Sequence, residues 1–188
     1  MVKAAIFVLA AITLGFALGP LTTTGYNLTG ARWDHTAITH DGTPELSAAI
    51  DMWAAVGGIT NGGYSENPDI TADVRPIPSA GYASWSTDNS REFIHHCHVT
   101  VDSDFVTWMM IWVHEAGHCL GIAHACESGE QGCTLAEKLA IMEWTGGSFG
   151  GINEDDIAAA VALYGPKLPD VPPTPATYRL VAPLAVKE

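Results

Sequence analysis

The sequence predicts an α+β fold in one domain. Of its 188 residues, 47% are apolar and only 15% are charged, a composition typical of a globular chain with one core. A chain of this length is too short for two ordinary domains. Segments with the two-residue period of strands occur beside segments with the helical period. Helices are predicted near residues 44–56, 104–120 and 154–164, and strands near residues 31–39, 70–77, 82–86 and 93–101.

The first predicted helix has the clearest local signals. Thr43 stands at the N-cap position and Pro44 at the first helical position, where each residue type is favoured. A stripe of apolar residues with helical spacing follows, and Gly57 ends the helix. The next segment, residues 61–67, is predicted to form turns. The apolar stripe consists of Leu46, Ala49, Ile50 and Trp53.

The later helices differ in their surroundings. The helix at residues 104–120 is apolar on nearly all sides, which indicates a central buried helix with Trp108 and Trp112 in the core. The last helix has Asn153 as its N-cap. Residues 167–188 are rich in proline and are predicted to form a tail or a linker.

The N-terminal segment indicates export. A lysine at position 3 precedes an apolar run, which is typical of a secretory signal and is short for a membrane span of about 20 residues. Residues 1–19 are predicted to be a cleaved signal peptide. An uncleaved membrane anchor or a buried helix remains an alternative, because Pro20 would follow a cut after Gly19. Residues 20–30 are polar and are predicted to be a linker.

The charge of the chain excludes two classes of partner. The formal net charge is −13, from 21 acidic and 8 basic residues. Such a chain has no electrostatic attraction to nucleic acid or to anionic membrane surfaces. We expect a secreted monomer that contacts a membrane only if the N-terminal segment is retained.

Four cysteines in an exported chain predict two disulfides. Three pairings are possible. Cys126 and Cys133 lie in one short loop and are natural partners, which leaves Cys97 with Cys119 as a bridge from strand to helix. The alternative is that Cys119 is a small buried apolar residue of its helix.

The central motif reads H-E-x-x-H-x-x-G-x-x-H, from His114 to His124. His114 and His118 are four residues apart, so both imidazoles leave the same face of a helix and can reach one ion. Gly121 tolerates a positive φ and lets the chain leave the helix sharply, so that His124 returns as a third ligand. Three neutral imidazoles form a catalytic zinc site with a fourth position for water, and Glu115 is the candidate general base for that water.

A purely structural interpretation of this motif is improbable, because two histidines and a glutamate are rarely buried without partners. Another pair, His96 and His98, shares one face of a predicted strand. Two ligands alone rarely make a metal site, so we expect these side chains to be solvated or packed.

The motif is the metzincin signature, and its surroundings resemble the matrixin branch of that family over residues 31–165. Residues 97–102 resemble the strand before the zinc helix, and the segment at Met142 resembles the Met-turn, where a methionine lies beneath the metal. The end of the domain resembles the matrixin C-terminal helix with its acid pair, here Asp155 and Asp156.

The resemblance implies a zincin-like catalytic domain over residues 31–166. A twisted, mixed and mostly parallel sheet with two main helices would lie over a small C-terminal subdomain with one helix. An extended peptide would bind in the cleft beside the edge strand. One acid of the Asp155–Asp156 pair would bind a freed N-terminal ammonium and the other the Met-turn backbone, although a helix N-terminus favours acids in any protein.

The chain also departs from the matrixin pattern. Ala125 follows the third histidine, where matrixins usually have serine. No loop for structural ions is recognisable between residues 78 and 93, so structural Ca²⁺ or a second Zn²⁺ is not expected. Trp144 stands where astacins and serralysins have a tyrosine ligand, so that ligand is not expected either.

The predicted function is zinc-dependent hydrolysis of peptide bonds in extended protein substrates, with one catalytic Zn²⁺. Two alternatives remain: a non-catalytic exported module stabilised by zinc, and a zinc hydrolase of non-peptide amides. The presence of Glu115 argues against the zinc-stabilised module, because a glutamate that does not bind the metal is not needed to hold it. The pocket beside the metal is predicted to involve Trp112, Val113 and the loop at residues 143–151.

Overall fold

Residues 26–126, 133–143 and 151–167 are described by the computed structural model. These parts of the chain form one mixed sheet and four helices, so the predicted α+β class is confirmed. The predicted signal peptide or anchor and residues 168–188 of the predicted tail lie outside the described residues. The strands are β1 (Ala37–His40), β2 (Thr60–Tyr64), β3 (Ile70–Val74), β4 (Gly81–Thr87) and β5 (Ile94–Val101), and the helices are α1 (Pro44–Ala54), α2 (Met109–Cys119), α3 (Leu135–Leu139) and α4 (Glu154–Tyr164).

The sheet has the strand order β2-β1-β3-β5-β4. β1 is parallel to β2 and β3, and β3 is parallel to β5, whereas β4 is antiparallel to β5. The alternate side chains Cys97, Val99 and Val101 of β5 are fully buried, as expected for the covered face of a sheet. β4 lies at one edge, and among the described residues only β5 pairs with it.

Helix α1 packs its predicted apolar stripe into the core. Leu46, Ala49, Ile50 and Trp53 are all fully buried, so this prediction is confirmed. The indole Nε1 of Trp53 donates a hydrogen bond of 2.8 Å to the carbonyl of Val113 in α2. This bond satisfies a buried donor and holds α1 against the helix that carries the histidines.

Both predicted disulfides are present. Cys97 is bonded to Cys119, and Cys126 is bonded to Cys133. The first bond joins β5 to the end of α2, so Cys119 is more than an apolar helix residue. Disulfides of this kind restrict the unfolded chain and are typical of exported proteins. No helix in the described part of the chain has the length and apolar character that a membrane span requires.

Helix α2 begins at Met109, later than the predicted start at Asp104. The Oδ1 atom of Asp102 accepts a hydrogen bond of 2.8 Å from the backbone N–H of Asp104. Short acidic side chains that bind nearby backbone groups favour turns over helix, and turns fill the segment before Met109. Trp108 is therefore 47% exposed, so its predicted core position is wrong, whereas Trp112 is fully buried as predicted.

The segment predicted to form turns, residues 61–67, contains strand β2 instead. β2 pairs in parallel with β1 through a register shift between Ile38 and Thr39. Gly63 has a φ of +79° in this strand, a conformation that glycine adopts without steric cost. An irregular register at the sheet edge therefore accommodates a glycine-rich sequence that lacks the usual strand pattern.

Two other strands are shorter than predicted. β1 occupies only the last part of the predicted span and one residue beyond it. β3 ends at Val74, because Pro76 cannot donate to a strand ladder. After it, the backbone N–H of Ile77 donates a hydrogen bond of 2.6 Å to Oδ2 of Asp102. The Asp102 carboxylate thus holds the loop that leads into β4.

Candidate metal centre

Three histidine side chains converge on one point. His114 and His118 lie one turn apart on α2, and His124 lies in the loop that follows. Nε2 of His118 is 3.1 Å from Nε2 of His114 and 3.1 Å from Nε2 of His124. In residues 26–126, 133–143 and 151–167, this is the one group of at least three histidine, cysteine or acidic side chains that could hold a metal ion. The structure thus brings the three predicted ligands together.

Backbone carbonyls hold the opposite nitrogens of two rings. Nδ1 of His114 donates to the carbonyl of Ile141 at 2.6 Å, and Nδ1 of His118 donates to that of Ile122 at 2.8 Å. A carbonyl oxygen can only accept, so a neutral ring in this position carries its proton on Nδ1. The Nε2 lone pairs of His114 and His118 therefore face each other across 3.1 Å. A cation between them would turn this unfavourable contact into ligation.

Burial keeps these imidazoles neutral. It lowers the pKa of His118 to about 3. It also lowers the pKa of His114 and of His124, because a buried imidazolium loses its hydration. The neutral imidazole is the form that binds a metal ion, so the site is ready to accept one at neutral pH.

The metal-free protein is expected to lose stability as the pH falls below the ordinary histidine pKa. The pKa of His118 is 6.5 in the unfolded chain and about 3 in the folded protein. Between pH 6.5 and about pH 3, the unfolded chain therefore binds a proton at His118 that the folded protein does not. The free energy of unfolding should fall by up to about 1.4 kcal/mol per pH unit for each such group. Urea unfolding of the metal-free protein between pH 7 and pH 4 measures the slope. A His118→Gln variant should show a shallower slope, and an unchanged slope would contradict this assignment.

Gly121 directs the chain from α2 towards His124. It has a φ of +91°, which is the left-handed conformation that the motif predicts. A β-carbon at this position would collide with the carbonyl oxygen of Ala31. Nδ2 of Asn27 donates a hydrogen bond of 3.0 Å to the carbonyl of His124, and the backbone N–H of Thr29 donates one of 2.9 Å to that of Gly121. The segment before β1 therefore positions His124, the third predicted ligand.

The predicted Met-turn lies beneath α2. Met142 is 1% exposed, and a β-carbon on Gly117 would collide with its sulfur and with the ring of Trp53. Gly117 stands between His114 and His118 in the helix. Met142 therefore fills the space under the turn that carries the two histidines.

Asp156 holds the backbone of this turn. Its Oδ2 accepts hydrogen bonds from the backbone N–H groups of Ile141 (2.8 Å) and Asn153 (2.9 Å), and its Oδ1 accepts one from Met142 (3.2 Å). Burial raises the pKa of Asp156, and the hydrogen bonds oppose this effect. The carboxylate thus joins the start of α4 to the segment that supports the histidines.

Asp155 has no equivalent contacts. It is 1% exposed, and neither carboxylate oxygen has a hydrogen-bond partner among the described residues. Burial raises its pKa to about 6, and the negative charges of Asp156, Glu137 and Glu154 contribute to the rise. The two acids of the predicted pair therefore have different surroundings, and of the two only Asp156 binds the backbone of Ile141 and Met142.

Replacing Asp156 with alanine is expected to lower the free energy of unfolding by about 2–4 kcal/mol. The change leaves three backbone N–H donors without their acceptor. Denaturant unfolding measures the loss. Asp155→Ala, made in the chain that keeps its N-terminal segment, is the matched control, because it removes a neighbouring carboxylate that accepts no hydrogen bond from the described residues. A loss of the same size in both variants would show that the Asp156 hydrogen bonds are not the cause.

Glu115 is buried beside the histidines. It is 6% exposed, and its Oε2 has no hydrogen-bond partner among the described residues. Burial raises its pKa to about 8, whereas a cation bound by the adjacent histidines would favour the carboxylate. A buried carboxylate oxygen without a partner destabilises a fold, so Glu115 is a candidate functional residue.

His96 and His98 are engaged within the sheet. Oγ1 of Thr71 lies 3.1 Å from Nε2 of His96 and 2.7 Å from Nδ1 of His98. Nε2 of His98 lies 3.3 Å from Oδ1 of Asp73. These contacts belong to the face of the sheet opposite to the buried side chains of β5, so this pair packs as the sequence predicts.

The sequence gives Glu143 only a place in the predicted pocket loop, most of which lies outside the described residues. Glu143 is a buried acid directly after Met142. Burial lowers the pKa of His124 and of His114, and the negative charge of Glu143 opposes part of this lowering. In the sequence, the position of Glu143 directly after Met142 is the one signal that could have indicated an electrostatic effect on the histidines. The predicted pocket residues Trp112 and Val113 are fully buried and therefore offer no exposed surface to a pocket.

No protein-family model and no curated protein matches the chain. The functional conclusion therefore depends on the motif and on the geometry of its residues. The strongest part of that geometry is the histidine cluster beside the buried glutamate.

Proposed function

We propose that the chain is a zinc-dependent endopeptidase of the metzincin type, with a matrixin-like catalytic domain. One observation carries the proposal. The Nε2 atoms of His114, His118 and His124 converge within 3.1 Å contacts, and the carboxyl of Glu115 is buried on the same helix. A buried carboxyl beside three converging imidazoles is typical of a functional site and supports the catalytic interpretation.

The donor set fits Zn²⁺. Zinc prefers imidazole nitrogen, binds it at about 2.0–2.1 Å, and takes tetrahedral geometry, which places ligand nitrogens about 3.3 Å apart. The 3.1 Å separations in the structure are close to this value. Three protein ligands leave one position for water or substrate, which is the pattern of catalytic rather than structural zinc sites.

Glu115 is proposed to move the proton of the reaction. When bound, zinc would supply Lewis acidity for the scissile carbonyl and lower the pKa of the attacking water. Glu115 accepts the proton of that water on its carboxylate and passes it to the leaving amine. The backbone carbonyls of Ile141 and Ile122 keep the two helix histidines oriented throughout.

The edge of the sheet supports an extended peptide as the substrate. β4 begins at Gly81, beside Glu115, and only β5 pairs with it in the described part of the chain. A peptide can add to such an edge through backbone hydrogen bonds, with its side chains read by pockets. This observation favours a peptidase over a hydrolase of small amides.

The architecture also supports a metzincin-type domain. A mostly parallel sheet with an antiparallel edge strand carries α1 and α2, and Met142 packs against α2 at Gly117, between the two helix histidines. Asp156 binds the Met-turn backbone, and we assign Asp155 as the acceptor of a freed N-terminal ammonium. The two disulfides support export, with a retained membrane anchor as the alternative.

Cleavage of a peptide library by the protein without residues 1–19 tests the proposal. We expect one bound zinc ion per chain and cleavage that stops with a zinc chelator and returns when zinc is added. Zinc binding without cleavage of any peptide would move the conclusion to the zinc-stabilised binding module. Cleavage of simple amides in place of peptides would move it to a non-peptide hydrolase.

A further inference from the structure

Gly81 begins β4 at the point where this strand passes α2. A β-carbon at Gly81 would lie 2.8 Å from Oε1 of Glu115, 3.0 Å from Cγ of Glu115 and 3.0 Å from Cγ2 of Ile111. Ordinary contacts between carbon atoms lie at about 3.5–4.0 Å. The carboxyl of Glu115 therefore occupies space that exists because residue 81 has no side chain.

The backbone gives no other reason for glycine at this position. Gly81 is not among the glycines with positive φ, and it pairs in regular register with Val101 of β5. Glycine weakens a strand, because it has no side chain to pack and loses more conformational freedom on folding. The close approach of Glu115 is thus the feature that distinguishes this site.

We propose that Gly81 is a positioning residue for Glu115, keeping open the one place in which the carboxylate can accept the proton of the reaction. This inference rests on the proposed function. The nearest atom, Oε1, is the end of a flexible side chain, so an added methyl group would displace the carboxylate and leave β4 in place. A displacement of about 1 Å in a reacting group can lower the rate by up to about a hundredfold.

Kinetic measurements on Gly81→Ala test the proposal. We expect kcat to fall by roughly tenfold to a hundredfold, with KM, zinc affinity and melting temperature unchanged. A kcat equal to that of the wild type would overturn the proposal. Gly81→Ala combined with Ile111→Ala removes the second contact, so that a fold damaged through Ile111 recovers while the contact with Glu115 remains. Full recovery of kcat in this double variant would assign the effect to Ile111 and overturn the proposal.

A second readout works without turnover. Acetohydroxamate binds zinc through two oxygens, and its acidic hydroxyl group can share its proton with a carboxylate beside the metal. We expect Gly81→Ala to weaken acetohydroxamate binding when Glu115 is present and to have no effect in the Glu115→Ala background. Equal weakening in both backgrounds would overturn the proposal. If the wild type cleaves no peptide, the proposed function fails, yet this comparison still decides whether Gly81 positions Glu115.

Discussion

Replacing Glu115 with glutamine should lower kcat by roughly a thousandfold and leave zinc bound, because general acid–base groups contribute about a hundred- to ten-thousandfold to rates. Glutamine has almost the same shape as glutamate, so it fits the buried position beside β4 without a new cavity. It cannot accept the proton of water. Steady-state kinetics and zinc content, measured on the same preparation, check both parts of the expectation.

The matched control for this variant is Glu66→Gln. Glu66 is exposed in the loop between β2 and β3, so the same change in charge there should leave kcat unaltered. If Glu115→Gln retained wild-type kcat, Glu115 would not be the general base. If it lost zinc together with activity, the loss could not be assigned to proton transfer. The second result would call for kinetics at saturating zinc.

Replacing Gly121 with alanine should lower the free energy of unfolding by at least about 4 kcal/mol, which is exceptional for one substitution. Two effects add. An alanine at a φ of +91° is strained, and its β-carbon would collide with the carbonyl oxygen of Ala31. Backbone on both sides must then move, and the loop that carries His124 moves with it. Denaturant unfolding and zinc affinity should both report the damage.

The control variant Gly63→Ala separates the backbone strain of a positive φ from the collision of the new β-carbon with a neighbouring atom. Gly63 also has a positive φ, +79°, but a β-carbon there has no atom within 4 Å. The control should therefore lose only the conformational term, about 1–2 kcal/mol, and keep the zinc affinity of the wild type. Equal losses in the two variants would show that the contact with Ala31 contributes nothing.

The sequence predicts the histidine cluster well because its geometry is local. His114, His118 and His124 lie within one helix and one turn, so helical spacing and a single glycine determine where the imidazoles point. The stripe of α1 and the pairing of Cys126 with Cys133 are predictable for the same reason, because each depends on spacing over a short stretch of chain. The bond between Cys97 and Cys119 joins segments 22 residues apart, and the sequence predicts it only because these two cysteines remain after the first pair.

Other features depend on partners that a single sequence does not show. Asp102 accepts backbone hydrogen bonds from Asp104, before α2, and from Ile77, before β4. Strand β2 forms from glycine-rich sequence because β1 supplies its pairing. Helix α3 was missed although Thr134 and Glu137 form a capping box, which is a local signal. The closeness of Gly81 to Glu115 follows only from the packing of β4 on α2.

The contacts of Asn27 and Thr29 determine where the domain can be shortened. The matrixin resemblance places the start of the domain at Ala31, directly after the segment that is predicted to be a linker. Yet Asn27 and Thr29 hold the loop that ends at His124. A recombinant fragment that starts at Ala31 would keep all three histidines of the motif and lose the hydrogen bonds that hold the loop of the third, so fragments for expression and crystallisation should begin no later than Tyr26.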